Sequence, residues 1–233
     1  MVDEELIELH PIEQLDNPGV SAAYNIAGRL AKRLEKQWLL LLDQDTKLPI
    51  GFWKQYELSI EKYTNSPVHA PRLYDGEVLA SPCGYLLYRG RVLTQIDAGI
   101  TPMRGRNVLN SGLLVSVESF WKVGGYDESV GLYFSDFVFF DRLKNSYKNF
   151  AVVDIDLAHN LSSSDYSDLD VALHRFHLYC KGAYAASKGD PVKKFLYTIT
   201  VGARSLLMNR RFSTFRFSRI FFDAWMSGNM FRA

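Results

Sequence analysis

Trp38 and the four leucines after it form an unbroken apolar run that halts at Asp43-Gln44-Asp45-Thr46, with Pro49 close behind. A run of this length between turn signals reads as a strand buried on both faces, and such a strand needs helices layered over it. That requirement points to an α/β domain. The strand also delivers two acids, one residue apart, to the point where strand becomes loop, and open α/β sheets bind ligands at the carboxyl ends of their strands. Paired carboxylates are costly to desolvate without a cation. Hard oxygen donors suit Mg²⁺ or Mn²⁺ carrying a diphosphate. Spacing alone also fits a simple acidic turn at a strand exit.

The flanking sequence supplies the layers. Ala23, Ala27, Leu30 and Leu34 recur at helical spacing after Asn17-Pro18-Gly19, so Asn17 is expected to cap a helix with Pro18 at its first position. Helices are also expected over 52–63, 118–122 and 136–145. Short strands are expected at 68–72 and 84–88, within 107–117, and at 150–156. This order completes a mixed sheet flanked by helices over residues 1–164. From Ser167, the expected cap, Leu169, Leu173, Phe176, Cys180 and Ala183 share one face until Gly189-Asp190-Pro191 ends the helix. One or two further helices make 165–233 a C-terminal helical appendage.

With a formal net charge of +1, the 233-residue chain has no global field to draw it to nucleic acid. Its two cysteines, Cys83 and Cys180, lie far apart and in no metal-like spacing, which fits a reducing cytoplasm. No apolar run approaches the roughly 18 residues that a membrane span needs, and the acidic start at Asp3-Glu4-Glu5 is unlike a signal peptide. Near the C-terminus, Arg204, Arg210, Arg211, Arg216 and Arg219 interleave with Phe212, Phe215, Phe217, Phe221, Phe222 and Trp225. That composition suits peripheral contact with an anionic membrane, at the inner face of the plasma membrane. Helices that pack their aromatics on the domain and leave arginines in solvent have the same composition.

A wider pattern surrounds the acids. In order, it comprises Asn17-x-Gly19, Ala23-x-Asn25-x-x-Gly28-x-x-Ala31, WLLLLDQDTKLP at 38–49, Asn110-Ser111-Gly112, Phe120-x-x-Val123-Gly124-Gly125-Tyr126-Asp127-Glu128, and FSDFVFFDRL at 134–143. Each piece is weak alone, but their order and separation over about 140 residues are specific. Together they resemble family 2 glycosyltransferases of the GT-A fold, in particular bacterial rhamnosyltransferase-like members.

The resemblance implies a metal-dependent, inverting transfer of a sugar from a nucleotide-diphosphate donor to a saccharide or lipid-linked acceptor, in cell-surface polysaccharide synthesis. It implies that Asp45 is the direct metal ligand, that Asp43 contacts the ribose or the metal, and that Gln44 lies against the nucleotide sugar. Asn17, Gly19, Asn25, Asn110, Ser111 and Gly112 are expected on the nucleotide-sugar side. The turn Gly125-Tyr126-Asp127-Glu128 is expected to shape the acceptor floor. Asp136 matches the acid that inverting members use as general base, taking the proton of the attacking hydroxyl. Asp141 is the alternative, but five residues along one helix turns it to another face. His159 matches a histidine that completes the metal site in related enzymes, and a packed or solvated histidine is its plain alternative.

Members of that family begin with two strands that hold the nucleotide base. This chain is expected to start at the third, over 6–9, so that roughly 40 residues of the nucleotide-recognition half are wanting. A shortened chain, a half supplied by another chain, and loss of catalysis each explain such a pattern. An uncovered sheet edge would favour a homodimer. The non-enzymatic alternative is a nucleotide-sugar-binding or scaffold protein of a polysaccharide locus.

Overall fold

The computed structural model of the chain describes residues 8–13, 17–43, 46–159 and 168–226. Helix α1, Val20–Arg33, leads into strand β1, Trp38–Leu41, and the short β2, Thr46–Lys47. Helix α2, Phe52–Lys62, is followed by β3, Val68–Asp75, β4, Val78–Ser81, β5, Cys83–Leu86, and β6, Arg89–Arg91. Next come β7, Gly99–Pro102, β8, Arg106–Asn107, β9, Leu113–Ser116, helix α3, Val117–Lys122, helix α4, Ser135–Ser146, and the long β10, Asn149–His159. Helices α5, Leu169–Ala186, α6, Pro191–Phe212, and α7, Arg216–Met226, close the chain.

The main sheet is mixed and seven-stranded, with the order β1-β9-β3-β10-β2; β4 adds to β3 and β7 to β10. Only β3 and β10 run parallel among its recorded pairs, and a register shift between Val152 and Asp156 bends β10. A second sheet holds β6, β5 and β8. One apolar layer, including Phe120, Phe139, Phe140 and Phe150, fills the side under α1, α3 and α4, and another under α2 gathers Tyr56, Leu73, Val153 and Leu157. Strands β3, β9 and β10, at the centre of the sheet, are buried on both faces over Val68–Pro71, Leu113–Val115 and Phe150–Val153. The apolar run at 38–42 differs from its expected place: β1 is an edge strand, half-buried except at Leu41, and Leu42 after it is 40% exposed. Helices α5 to α7 build a third core around Phe176, Cys180, Tyr197 and Phe217.

Several local expectations are corrected. Asn17 does not cap α1: its carboxamide oxygen accepts from the Gly19 backbone N–H at 3.1 Å, and Gly19, with φ +83°, takes the cap position. The cap of α5 is Asp168, which accepts from Asp170 N and Val171 N at 2.8 and 3.1 Å; Ser167 lies outside the described residues. The strand expected at 6–9 begins outside the described residues, and 8–13 carry no helix or strand. The apolar stretch at 84–88 is half of a hairpin, with Leu87 and Tyr88 as its turn.

Candidate functional site

Strand β1 runs antiparallel to β9, so its exit lies beside the segment that leads into β9. The Gly112 N–H donates to the Leu41 carbonyl at 2.8 Å, and the Asp43 N–H reaches the Ser111 hydroxyl at 3.4 Å. The Ser111 hydroxyl also meets that of Thr46. Backbone and hydroxyl groups thus join the acidic loop to Asn110-Ser111-Gly112, two segments nearly seventy positions apart in the chain. Gly112 has φ +78°, and a Cβ there would stand 2.5 Å from Pro71 Cγ. Its close approach is to Pro71 and Tyr56, whose hydroxyl donates to the Gly112 carbonyl at 2.7 Å, so glycine is needed here for packing.

Asp43 is half-buried, and the Tyr24 hydroxyl donates to its Oδ1 at 2.6 Å. Tyr24 was not singled out by its pattern, although it sits inside the Ala23-x-Asn25 element; a tyrosine on the buried face of an amphipathic helix reads as core. Its ring lies 5.1 Å from that of Tyr126, whose hydroxyl donates to Asn110 Oδ1 at 2.6 Å. The Asn110 amide in turn reaches the Ser135 hydroxyl at 3.5 Å, at the start of α4. A polar path therefore links the β1 exit, the β9 approach and the first turn of α4.

Asp136 lies in that first turn, where the Phe137 N–H donates to its Oδ1 at 2.8 Å. Burial pushes its carboxyl up from the ordinary 3.8 to about 6, these backbone N–H bonds oppose the rise, and the charge of Asp43 adds to it. Burial raises the Tyr126 phenol well above its ordinary range, and the charges of Asp136 and Asp43 add to the rise. Among the described residues, neither acid has an ion-pair partner. Asp141 does: it binds Lys144 at 2.9 Å, Lys193 at 3.4 Å and the Tyr85 hydroxyl at 3.3 Å. That commitment ties α4 to α6 and removes Asp141 from the site.

Gln44 and Asp45 lie outside the described residues, and of His159 only the backbone is described. The register nevertheless pairs His159 with Thr46, the residue after Asp45, in the β10–β2 ladder. Among the described residues, no group of three His, Cys, Asp or Glu side chains could hold a metal ion. The two carboxylates without a counter-charge are what a cation would suit, and hard oxygen donors on a loop fit Mg²⁺ or Mn²⁺.

The glycine-rich turn is anchored from α1 and α4. Asn25 is buried at 5% exposure; its Oδ1 accepts from Tyr126 N at 2.8 Å, and its Nδ2 donates to the Tyr126 carbonyl and to Glu128 at 3.0 and 2.8 Å. Asn25 thus holds the turn through both ends of its carboxamide. Tyr126 is 2% exposed and stacks on Phe139 at 4.1 Å, and Asp127 binds Arg142 at 2.8 Å. Gly125, with φ +63°, leaves no space for a Cβ against Asn25. Asn17 and Gly19 lie at the start of α1, with no described contact to Asp43 or Asp136.

No protein-family model matches the sequence, and no curated protein matches it. Solved structures do. One is a crystal structure of GalNAc-T7 with UDP, GalNAc and Mn²⁺, at TM-score 0.54 and 12% identity, covering 92% of this chain and 45% of that one. At that identity the likeness establishes the fold, and the chain spans less than half the length of that protein. The mixed sheet flanked by helices resembles a GT-A glycosyltransferase fold.

Proposed function

We propose that this chain transfers a sugar from a nucleoside-diphosphate donor to an acceptor hydroxyl, with a divalent cation at the Asp43-Asp45 loop and Asp136 as general base. The observation that carries this reading is the set of contacts that brings Asp43, held by Tyr24, and the Ser135-Asp136 turn of α4, held through Asn110 and Tyr126, to one region beside the exit of β1, with no ion-pair partner for either acid among the described residues. A cation bound there would offset charge on the departing diphosphate. Tyr24 holds Asp43 in place, and the Phe137 N–H holds one oxygen of Asp136, leaving the other to take the acceptor proton. A carboxyl raised to about 6 is a stronger base than an exposed aspartate and is still ionised at neutral pH.

A single displacement with inversion follows from using Asp136 only to move a proton. Family 2 membership and a rhamnosyl donor are supported by the Asp43-Gln44-Asp45-Thr46 pattern and its companions. A UDP-linked donor is the other candidate, since the structural neighbour was solved with UDP. No helix among the described residues is long and apolar enough to cross a membrane. On α6, however, Val192, Phe195, Ile199 and Leu206 follow one face and are each more than half exposed. With Arg210, Arg211, Arg216 and Arg219 close by in the chain, they support peripheral contact with an anionic membrane and a lipid-linked acceptor.

Calorimetry with UDP-, dTDP- and GDP-sugars, with and without Mn²⁺, tests the donor half. At least one is expected to bind only with Mn²⁺, and Asp45→Asn to remove that dependence while the protein stays folded. Asp136→Asn is expected to keep donor binding and lose transfer. Binding of none of these nucleotides would favour a scaffold over an enzyme.

A further inference from the structure

Of the glycine-rich turn only Gly125 and Tyr126 are buried, so it offers an acceptor no aromatic ring, and the aromatic surface lies elsewhere along α4. Beside α4 lies a cavity of about 150 Å³ walled by Tyr88 of the β5–β6 hairpin, Tyr133, Phe134 and Phe137 around the start of α4, Tyr179 of α5 and Tyr197 of α6. We propose that this aromatic cavity, closed on one side by the helical appendage, is a saccharide-ring subsite for the acceptor; the assignment of that ring as acceptor rests on the sugar-transfer reading above.

Four observations carry it. A cavity near this size accommodates about one six-membered ring. Its walls are mostly aromatic residues, and an aromatic face has the negative potential that matches the C–H face of a pyranose. Tyr197 is 2% exposed, and among the described residues its hydroxyl makes no hydrogen bond of good geometry: it interacts with the Tyr85 hydroxyl, whose own proton goes to Asp141. A buried hydroxyl left so is costly unless a ligand or water pairs with it, and a sugar hydroxyl does so where a hydrocarbon chain cannot. Tyr88 and Phe134, both in the wall, have left-handed backbones at φ 61° and 71°, a conformation rare for aromatic residues and found where a site is held under strain.

The position also fits. Phe134 and Phe137 bracket Asp136 in the chain, and the Asp136 charge is felt at Tyr197. The walls are fixed from behind: the Arg204 guanidinium lies over the Tyr179 ring at 4.7 Å, and the Tyr88 hydroxyl donates to Asp190 at 3.3 Å. Tyr179 and Tyr197 are thus acceptor-binding residues contributed by helices outside the sheet domain.

Saturation-transfer NMR on the full chain with methyl glycosides of rhamnose, glucose, galactose and N-acetylglucosamine tests the subsite. At least one is expected to bind, with affinity falling about 2- to 10-fold in Tyr197→Phe, which keeps the ring and removes one hydrogen bond. Tyr179→Ala is expected to weaken it roughly tenfold or more, with Tyr179→Leu as a second variant should the alanine form unfold. Nucleotide-sugar binding, followed by calorimetry in the same samples, is expected not to change. If no glycoside binds the wild type, or if a short isoprenyl phosphate binds in their place, the subsite is overturned, as it is by folded Tyr197→Phe and Tyr179→Leu forms that bind glycosides normally. Glycoside binding that these variants weaken, in a protein that takes up no nucleotide sugar, keeps the subsite and overturns the transfer reading.

Discussion

Burial and the charge of Asp43 keep Asp136 protonated up to about pH 6 in the folded chain, whereas unfolded it ionises near 3.8. Between those values the folded state binds more protons, so stability falls as pH rises through the window, by about 3 kcal/mol in all. Asp136→Asn is therefore expected to raise the melting temperature at pH 7.5 and to leave it nearly unchanged at pH 3.5. Equal effects at both pH values would mean that the carboxyl is not held up. Gly112 makes the opposite kind of demand, for space and for a left-handed backbone. Gly112→Ala is expected to cost about 3 kcal/mol in urea unfolding. The sequence pattern marked both residues, but a motif records that a glycine is present and not what approaches it, so Pro71 and Tyr56 were not legible as the neighbours of Gly112. The partners of Asn25, Tyr126 and Glu128, were not legible for the same reason, since they lie a hundred positions away.

At the scale of elements, the β5–β6 hairpin turns on Leu87 and Tyr88, both at positive φ, where asparagine and glycine are usual. No turn signal stood in the sequence, so this stretch read as strand. Leu87 is 61% exposed, and Leu87→Asn is expected to stabilise the chain by several tenths of a kcal/mol, read as a small rise in melting temperature. Tyr88 differs, since its hydroxyl and ring are used by Asp190, Lys193 and Tyr197 on the appendage. Asp141 makes the matching tie from α4. Asp141→Ala would leave the poorly exposed Lys144 and Lys193 without their counter-charge and is expected to cost about 3 kcal/mol in urea unfolding. Helices α1, α2, α4 and α5 were legible from periodicity, because three or more turns repeat the signal. Strands β2, β4, β7 and β8, of two to four residues, were not, since alternation over so few positions is no pattern.

Across the whole molecule, the helical appendage is packed against the sheet domain. A Cβ on Gly182 of α5 would stand 2.5 Å from the Tyr133 carbonyl oxygen, and Phe134 packs on both Tyr179 and Tyr197. Tryptophan fluorescence and far-UV dichroism are therefore expected to melt together; two separated transitions would show that the helices fold apart from the sheet. The exposed face of α6 leads to a second expectation, that the chain sediments with anionic vesicles and not with neutral ones, less so at high salt. By itself the sequence determined the α/β class, the strand that ends in acids, though not its place at the sheet edge, and the helical nature of the C-terminal part, because apolar periodicity and breakers act over a few neighbouring residues. The pairing of β1 with β9, the contacts that link Asp43 through Tyr126 to the Ser135-Asp136 turn, and the cavity between α4 and the appendage were decided only by tertiary structure. Each depends on segments tens to a hundred residues apart, and which of them touch is set by how the layers pack as a whole.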